Sequence, residues 1–242
     1  MKTVAIIQAR MGSTRLPGKV LMPLAGEPML ARVVNRTKRA KTINDVVVAT
    51  TELPQDDVLG DLCASRGWNC FRGSENDVLD RYYQGARVFQ ADVIVRITSD
   101  CPLIDPMVID DCVRSFLAPP EVDYVSNTLP ARTFPRGLDT EVFGVRLLEK
   151  LWSEDKNPQT REHVTLSLHK NLNLFRTRGR TSNQDLSGWR WTVDTPEDLE
   201  LVSKIFDHFQ NDSFSWQEAA RLIADRPNWQ TINAQVTQKS LY

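Results

Sequence analysis

The stretch QARMGSTRLPGK, residues 8–19, begins where an apolar run ends and decides how the rest of the chain is interpreted. The run before it, TVAIIQA (3–9), is continuous and rich in β-branched residues, as in a central parallel strand covered on both faces. The loop contains two glycines and three cationic side chains, which are Gly12, Gly18, Arg10, Arg15 and Lys19. Ligands of open α/β sheets bind beyond the carboxyl ends of the strands, so this loop lies where an anion would bind.

Two common phosphate-binding motifs are absent from this loop. In the Walker A pattern G-x-x-x-x-G-K-[ST], four residues separate the two glycines and a hydroxyl residue follows the lysine. Here five residues separate Gly12 from Gly18, and Val20 follows Lys19. The G-x-G-x-x-G pattern is absent too. Glycine-rich backbone can still turn N–H groups toward phosphate, and Arg and Lys can bind its oxygens. A solvated basic loop is the alternative, but three cations at a strand exit favour a nucleotide or sugar-phosphate site.

The chain has 242 residues, enough for one large α/β domain or two small ones. With 30 Lys and Arg against 31 Asp and Glu, its formal net charge is −1, which argues against general binding to nucleic acid or a membrane surface. No stretch reaches the ~20 apolar residues of a membrane span, and the first apolar run is too short for a secretory signal. We therefore expect a cytoplasmic protein that binds no nucleic acid and no membrane.

The cysteines stand at positions 63, 70, 101 and 112. They form no C-x-x-C pair, and no histidine lies at metal-ligand spacing from them, which argues against a zinc site. We expect reduced and mostly buried thiols.

Strand-like and helix-like segments alternate through the first half of the chain. The predicted strands after the first are 45–51, 69–71 and 92–100, and the predicted helices are 28–40, 55–67, 74–90 and 105–117. This alternation indicates βαβ units with right-handed crossovers and a mostly parallel sheet. Asp105 and Pro106 are typical of a helix start. The helix at 55–67 is expected to turn four side chains inward, which are Val58, Leu59, Leu62 and Cys63.

The pattern loosens after the proline-containing segment 118–123. Strands predicted at 139–145 and 171–177 would belong to an inserted or edge subdomain at about 126–187. We therefore predict one catalytic domain over 1–242 with this small appendage.

Regular structure is predicted again near the C-terminus. The segment 188–206 is interpreted as a strand, a turn and a helix that Thr195 caps. A capping box formed by Ser215 and Glu218 predicts a last helix at 215–227.

Two aspartates follow predicted strands, Asp100 after VIVRITS and Asp194 after WRWTV. If both strands are parallel to the first, the two carboxylates emerge at the same sheet edge as the loop 8–19. Mg²⁺ prefers oxygen ligands and usually bridges protein carboxylates to substrate phosphates. A turn or helix-cap role is the alternative for each residue alone, but the pair at two strand ends favours a Mg²⁺ site.

Four segments, 6–30, 96–105, 135–143 and 191–199, together resemble the cytidylyltransferases that activate acidic sugars, namely the acylneuraminate and 3-deoxy-manno-octulosonate enzymes. The likeness is greatest to the spore-coat polysaccharide branch of this family. The resemblance implies a Rossmann-like α/β fold, a three-layer sandwich with a mostly parallel central sheet and a small dimerisation or acceptor subdomain. It also implies a homodimer that joins CMP from CTP to an anionic small-molecule acceptor, with release of pyrophosphate, in surface polysaccharide or glycoconjugate biosynthesis.

The resemblance further implies roles for individual residues on the nucleotide side. Its catalytic set would be Arg10, Lys19, Asp100 and Asp194, in which the two cations hold the CTP phosphates and the two carboxylates bind Mg²⁺. Arg15 would assist on the phosphates, and backbone from four further residues would wrap the nucleotide, namely Ala9, Met11, Gly12 and Ser13. Candidates near the cytosine are Ser74, Asp77 and Arg81, for which a surface helix start is the other interpretation.

The acceptor side has its own candidates, which are Arg136, Asp139, Glu141, Arg161 and His163. Arg136 would pair with an acceptor carboxylate or phosphonate, and Glu141 would meet a hydroxyl or amine. Arg161 and Glu162 also fit an ordinary helix-surface pair. His169 and His208 are interpreted as helix-surface residues.

On this interpretation an acceptor oxygen attacks the α-phosphorus of CTP in line with departing pyrophosphate, and the protein supplies alignment and charge neutralisation. One alternative is a nucleotidyltransferase that uses another nucleoside triphosphate or a phosphonate acceptor. A glycosyltransferase of similar architecture is another, although Asp100 stands in SDC rather than in an Asp-x-Asp pair. A catalytically inactive nucleotide sensor is the alternative from a different class, and the intact candidate catalytic set argues against it.

Overall fold

The computed structural model describes residues 1–239, so the end of the predicted domain, residues 240–242, lies outside the described residues. The strands are β1 (Thr3–Gln8), β2 (Pro23–Leu24), β3 (Glu27–Pro28), β4 (Asp45–Thr51), β5 (Asn69–Gly73), β6 (Val93–Thr98), β7 (Tyr124–Ser126), β8 (Glu141–Gly144) and β9 (Thr177–Gly179). The α-helices are α1 (Met29–Lys38), α2 (Asp57–Arg66), α3 (Val78–Val88), α4 (Pro106–Leu117), α5 (Val145–Glu154), α6 (Pro158–Glu162), α7 (Leu166–Lys170), α8 (Pro196–Phe209), α9 (Trp216–Ala224) and α10 (Pro227–Gln230).

Seven strands form one sheet in the order β5-β4-β1-β6-β8-β7-β9. The pairs β1–β4, β1–β6, β4–β5 and β7–β9 are parallel, whereas β8 is antiparallel to both of its neighbours. The predicted α/β fold with a mostly parallel sheet is therefore confirmed. The carboxyl ends of β1 and β6 lie side by side, because Gln8 pairs with Thr98.

The sheet has an apolar cluster on each face, which makes the molecule three layers thick. Alternate residues of β1 point to opposite faces, as the pleat requires. Ala5 and Ile7 belong to the larger cluster, which also contains apolar residues of α1, α4 and α8, while Val4 and Ile6 belong to the second, with residues of α3 and α5. Burying one such large aliphatic side chain contributes roughly 1.5–3 kcal/mol, so the strand before the loop 8–19 is firmly held.

The predicted helix starts are present in the structure. Asp105 accepts a 2.8 Å hydrogen bond from the Met107 N–H at the start of α4. Thr195 and Ser215 each form a capping box with the acidic residue three positions later, at the starts of α8 and α9. These caps satisfy backbone donors that no helical carbonyl can reach.

Three local predictions are wrong. The segment 188–194 is not a strand: its N–H groups donate to two different loops, and Arg190 forms only an isolated bridge with Arg136. Residues 172–174 of the predicted strand 171–177 form a 3₁₀ turn, and β9 begins only at the last residue of that range. Val58 is 42% exposed, because α2 buries a narrower apolar stripe than its sequence suggests.

The predicted inserted region at 126–187 shares the main sheet, to which it contributes β8 and β9. Its assignment to dimerisation or acceptor binding stays a prediction. Across residues 1–239 we find no helix with the length and apolar character needed to cross a membrane.

Candidate functional site

The loop after β1 folds back on its own backbone. The carbonyl of Met11 accepts hydrogen bonds from the N–H groups of Ser13, at 2.8 Å, and Gly18, at 3.1 Å. Gly18 has φ +70°, a left-handed conformation that glycine adopts without steric cost. This turn sends the chain into a short 3₁₀ turn that starts at Lys19 and directs the lysine side chain inward.

A buried aspartate that sequence reasoning missed anchors this loop. Asp56 is fully buried and accepts a 2.6 Å hydrogen bond from the N–H of Met11. It also accepts a hydrogen bond from the hydroxyl of Thr51 at the end of β4. The Met11 N–H is thus bound to the protein itself, which ties the start of the loop to the neighbouring strand.

Lys19 is the centre of the site. Its ammonium group donates to the carbonyl of Val193 at 2.7 Å, to Asp194 Oδ1 at 2.8 Å and to Asp100 Oδ2 at 3.2 Å. The residue is only 8% exposed. The structure therefore brings together three of the four residues of the predicted catalytic set, from positions far apart in the chain.

The two carboxylates meet for different reasons. Asp100 follows β6, as predicted, but Asp194 lies in an irregular segment whose N–H groups bind Asp100 and Arg136. The carbonyl of Asp100 accepts from the Val193 N–H at 2.8 Å and from the Thr192 hydroxyl at 3.2 Å. Gly137 allows the segment that contains Thr192 to approach this closely. Its φ is +106°, and a Cβ at this position would lie 2.7 Å from the Thr192 nitrogen.

The charges in this cluster stabilise one another. Burial alone would lower the pKa of Lys19, but the carboxylates of Asp100 and Asp194 outweigh it and hold the pKa above its usual value. Burial alone would raise the pKa of Asp194, whereas Lys19, Arg15 and Arg190 hold it below its usual value. The lysine is therefore a cation and Asp194 an anion near neutral pH.

The three cations of the loop do not converge on one point. Arg15 Nη2 lies 2.9 Å from Asp194 Oδ2, with its side chain 35% exposed, so it joins the Lys19 cluster from the solvent side. Arg10 instead lies 3.5 Å from Glu162 at the end of α6, in a largely exposed pair. An exposed ion pair such as Arg10–Glu162 contributes ~0–1 kcal/mol, so Arg10 can exchange its partner for a phosphate at low cost. Arg15 can also turn to a phosphate from the solvent side, because Asp194 keeps its bonds to Lys19 and Arg190.

The carboxylates of Asp100 and Asp194 could together bind a divalent cation that is also coordinated by phosphate. Among the described residues the Oδ1 atom of Asp100 accepts only a weak hydrogen bond from the thiol of Cys101, at 3.5 Å, and the side chain is 26% exposed. Asp194 Oδ2 is shared between Arg15 and Arg190. Mg²⁺ typically takes one or two carboxylates and completes its shell with water and substrate phosphates, which matches a site with one weakly bound carboxylate oxygen and one exchangeable arginine.

The candidates near the cytosine lie at the start of α3. Asp77 caps this helix, accepting from the Asp80 N–H at 2.8 Å, and its other oxygen accepts from Arg161 at 2.8 Å. Arg81 is 2% exposed and donates to the carbonyl of Ser74 at 2.7 Å, while its buried Nε has no partner among the described residues. The surface-helix interpretation therefore holds for Asp77 as a cap and is wrong for Arg81.

The acceptor candidates are in quite different states. Asp139 is held by a bidentate pair with Arg132, at 2.5 and 2.7 Å. The side chain of Arg136 is half-buried and has no hydrogen bond or ion pair within residues 1–239. Burial and the neighbouring Arg132 lower its pKa. Arg136 is thus a cation without a bound anion.

Arg161 lies in the last turn of α6, and His163 follows the helix directly. Arg161 pairs with Asp77 and not with Glu162, so the predicted helix-surface pair of adjacent residues is wrong. Burial lowers the pKa of His163, which is half-buried, so its imidazole is neutral at pH 7.

Glu141 forms a closed cluster within the protein. It accepts from Arg96 and from the Tyr124 hydroxyl, both at 2.5 Å, and from the Thr165 hydroxyl at 2.9 Å. His169 Nε2 lies 3.1 Å away, so the interpretation of His169 as a helix-surface residue is wrong, whereas His208 is exposed on α8. Burial alone would raise the pKa of Glu141, but Arg96 and His169 outweigh it and hold the pKa well below its usual value.

Sequence reasoning missed a second layer of residues behind Asp194. Arg190 donates to Asp194 Oδ2 at 2.7 Å and is itself bound by the fully buried Asp198. Asn233, near the C-terminus, donates to the same Asp198 at 2.8 Å. A charged residue between two tryptophans at 189–191 was the available signal for Arg190, and no pattern indicates Asn233.

Comparisons with known proteins match this architecture. The family model described as "Cytidylyltransferase" matches residues 4–223. A solved cytidylyltransferase from Leptospira borgpetersenii serovar Hardjo-bovis has a TM-score of 0.91 and 37% identity to this chain, over 99% of both chains. The spore coat polysaccharide biosynthesis protein SpsF of Bacillus subtilis is 34% identical over 209 residues, which is 83% of this chain and 85% of the relative. The CMP:2-keto-3-deoxy-manno-octonic acid synthetase complexed with CTP shares the fold, with a TM-score of 0.66 and 20% identity over 86% of this chain and 99% of that one.

Proposed function

This chain belongs to the cytidylyltransferase family and is a CTP-dependent nucleotidyltransferase, and we propose that it joins CMP to an acidic sugar or a related anionic acceptor and releases pyrophosphate. The family predicted from the sequence motifs is thereby confirmed. The acceptor, the metal and the roles of individual residues belong to the proposal.

One observation carries the proposal, which is the convergence of Lys19, Asp100 and Asp194 at the carboxyl end of β1 and β6. A single buried ammonium holds two carboxylates, and an exposed arginine, Arg15, approaches one of them, Asp194, from solvent. A triphosphate that enters from the loop side meets cations directly, and the Oδ1 atom of Asp100, bound only weakly by the Cys101 thiol, remains for a metal.

In the proposed reaction an oxygen of the acceptor attacks the α-phosphorus while the bond to the β-phosphate breaks, and pyrophosphate takes the electron pair. Arg10 would bind the leaving group and neutralise the charge that develops there. Lys19, whose three N–H donors are used by Val193, Asp194 and Asp100, would act on that charge only through the positive field of its ammonium. Arg15 would move from Asp194 to a phosphate oxygen. The fixed backbone of the loop, tied through Met11 to Asp56, would hold the triphosphate in line with the acceptor.

Asp100 and Asp194 would hold Mg²⁺, whose chemistry here is to polarise phosphate oxygens and bring the two reactants together. Lys19 would keep both carboxylates oriented toward the same point. In the resting protein Arg15 balances the charge of Asp194, so the site does not need a metal to be stable.

The acceptor class is inferred from Arg136. This half-buried guanidinium lies near Arg132, Asp139 and Arg190, and among residues 1–239 no carboxylate binds it. An acceptor that carries a carboxylate or phosphonate would supply the missing anion. The similarity to a spore coat polysaccharide protein and the fold shared with a synthetase for a keto-deoxy sugar acid support this class and a role in surface polysaccharide or glycoconjugate biosynthesis.

A cytoplasmic location and a homodimeric state complete the proposal. The cysteines at 63, 70, 101 and 112 are free thiols, which suits a reducing compartment. Light scattering after size-exclusion chromatography gives the mass in solution, and a mass near 27.6 kDa would contradict the homodimer.

The direct test is a pyrophosphate-release assay with Mg²⁺, each of the four common nucleoside triphosphates, and a panel of carboxylated sugars, nonulosonic acids, phosphonates and neutral sugars. We expect turnover only with CTP and an anionic acceptor. Turnover with UTP or GTP would point to the alternative nucleotidyltransferase, and transfer of sugar from a sugar nucleotide to the glycosyltransferase.

Arg136→Gln tests the acceptor site separately. We expect the KM for the acceptor to rise roughly 10–100-fold, as expected for losing a charged hydrogen bond, with the KM for CTP unchanged. Arg146→Gln, an exposed position on α5, is the matched control. An unchanged acceptor KM in Arg136→Gln would remove Arg136 from the proposal.

A further inference from the structure

We propose that Arg190 and Asp198, held in place by Asn233, position the Asp194 carboxylate for the nucleotide reaction. This inference rests on the proposed role of Asp194 and goes beyond it. The family model ends at residue 223, so Asn233 contributes from a segment outside the matched region.

Arg190 bridges two carboxylates with one guanidinium. Its Nη2 donates to Asp194 Oδ2 at 2.7 Å and to Asp198 Oδ2 at 3.1 Å, and its Nε donates to Asp198 Oδ1 at 2.9 Å. The side chain is only 7% exposed. Because the guanidinium is planar, gripping it at two points through Asp198 also fixes the direction of the bond to Asp194.

Asp198 holds the backbone as well as the side chain of this region. It is fully buried, and its Oδ2 accepts from the N–H of Asp194 at 3.0 Å and from the N–H of Thr195 at 3.1 Å. The same residue closes the capping box of α8. One carboxylate therefore orients the main chain of Asp194 directly and its side chain through Arg190.

Asn233 completes this arrangement from the C-terminal segment. Its Nδ2 donates to Asp198 Oδ1 at 2.8 Å and to the carbonyl of Arg190 at 2.9 Å, and the residue is 5% exposed. A further contact from the same segment is Gln238, which accepts from Arg190 Nη1 at 2.5 Å. Fully satisfied buried polar networks of this kind are rigid.

Arg15 and Arg190 both bind Asp194, and the difference between them indicates what the network of Arg190, Asp198 and Asn233 does. Arg15 is 35% exposed and can leave for a phosphate, whereas Arg190 is buried and bound on its far side. When Arg15 leaves, Arg190 keeps Oδ2 oriented, so the Asp194 carboxylate stays aimed at the reacting phosphate. Residues that orient a metal-binding or reacting carboxylate typically change affinity or activity ~10–100-fold when mutated.

The experiment compares Arg190→Lys, Asn233→Ala and Asn228→Ala in the full-length protein. Asn228 is the matched control, an exposed asparagine in the same segment. We measure kcat, the affinity for Mn²⁺ in the presence of CTP by electron paramagnetic resonance, and the Tm. We expect Arg190→Lys to lower kcat and Mn²⁺ affinity ~10–100-fold and Asn233→Ala to lower both by a smaller factor, with Asn228→Ala unchanged.

A merely structural role would lower the Tm of Asn233→Ala and leave its kcat and Mn²⁺ affinity within twofold of the Asn228→Ala protein, which would overturn the proposal. Asp194→Asn separates this outcome from failure of the proposed function. If Asp194→Asn is inactive while Arg190→Lys and Asn233→Ala are normal, only the positioning role fails. If Asp194→Asn is fully active, the proposed site itself is wrong.

Discussion

The molecule has two clusters in which carboxylates bind cations, one around Lys19 and one around Glu141. They differ in how exposed their side chains are and in whether a carboxylate oxygen can take a new ligand. At the Lys19 cluster, the side chains of Asp100 and Asp194 are 26% and 13% exposed, and one of the bound cations, Arg15, is 35% exposed. At the Glu141 cluster the carboxylate is 9% exposed, and each of its oxygens accepts from donors supplied by the protein itself.

This difference indicates that the Lys19 cluster can bind a ligand, whereas the Glu141 cluster stabilises the fold. A saturated buried carboxylate cannot accept a new ligand without losing a bond already made, so Glu141 suits the interior of the fold. The Lys19 cluster has a weakly bound carboxylate oxygen on Asp100 and a partner, Arg15, that can exchange, which a substrate or metal requires. Both motifs were candidates from sequence, and only the contacts of each carboxylate separate them.

The largest effect on activity per folded molecule is expected from Lys19→Ala, which should also lower stability because Asp100 and Asp194 lose the cation that they share. Loss of one charge-stabilising contact to a developing anion commonly lowers kcat ~10²–10³-fold. Steady-state pyrophosphate release and thermal unfolding of the same preparation check both parts. Lys204→Ala, in an exposed pair on α8, is the control, and activity of Lys19→Ala within tenfold of wild type would erase the distinction between the clusters.

Glu141→Gln should lower stability without this loss of activity. The amide leaves the buried charge of Arg96 without its carboxylate, which typically costs about 3–5 kcal/mol of folding free energy. We expect a lower urea midpoint and a kcat per folded molecule close to wild type. Glu154→Gln, exposed at the end of α5, is the control. A Glu141→Gln protein of normal stability that has lost its acceptor affinity would move Glu141 back into the acceptor site.

The pH dependence of stability sharpens this contrast. The pKa of Glu141 in the folded state lies below its usual value of 4.5, so its ionised form stabilises the fold above that pH, and this contribution is lost as pH falls further. The stability difference between wild type and Glu141→Gln should therefore be largest near pH 7 and narrow as the pH drops toward about 3. Urea unfolding of both proteins across this range is the measurement, and a difference independent of pH would contradict the assignment.

The smallest effect is expected at the exposed pair of Arg10 with Glu162. Glu162→Gln should change stability by less than about 1 kcal/mol, because the pair is exposed and 3.5 Å apart. Since it frees Arg10 for phosphate, the KM for CTP should stay the same or fall. A rise in this KM would mean that Glu162 holds Arg10 in its working position.

Much of the fold could be predicted because the signals were local. The apolar runs of β1, β4 and β6 and the caps at Asp105, Thr195 and Ser215 depend on neighbours in sequence, and all of them are present. The segment 188–194 has the alternation of a strand, yet its N–H groups bind Arg136 and Asp100 on two different loops. Such partners are set by tertiary structure, which local periodicity does not contain.

The residues of the candidate site likewise fall into those that local sequence predicts and those that only tertiary contacts bring into place. Lys19 and Asp100 lie after β1 and β6 and could be predicted from that position. Asp194 was predicted from the end of a strand at 188–194 that does not form, so it meets Lys19 for a reason that the sequence pattern does not contain. Asp56, Asp198 and Asn233 act on the loop and on Asp194 from behind, through contacts that span from 4 to 45 residues along the chain. No motif spacing encodes those contacts.

The measurement that tests the central claim most directly is a crystal structure of the protein soaked with CTP and Mn²⁺, with anomalous data collected at the manganese edge. We predict a triphosphate between the start of the loop, residues 9–13, and Lys19, with Arg15 moved from Asp194 onto a phosphate. We also predict an anomalous peak within coordination distance of Asp100. A nucleotide bound in another cleft, or manganese remote from both Asp100 and Asp194, would contradict the account.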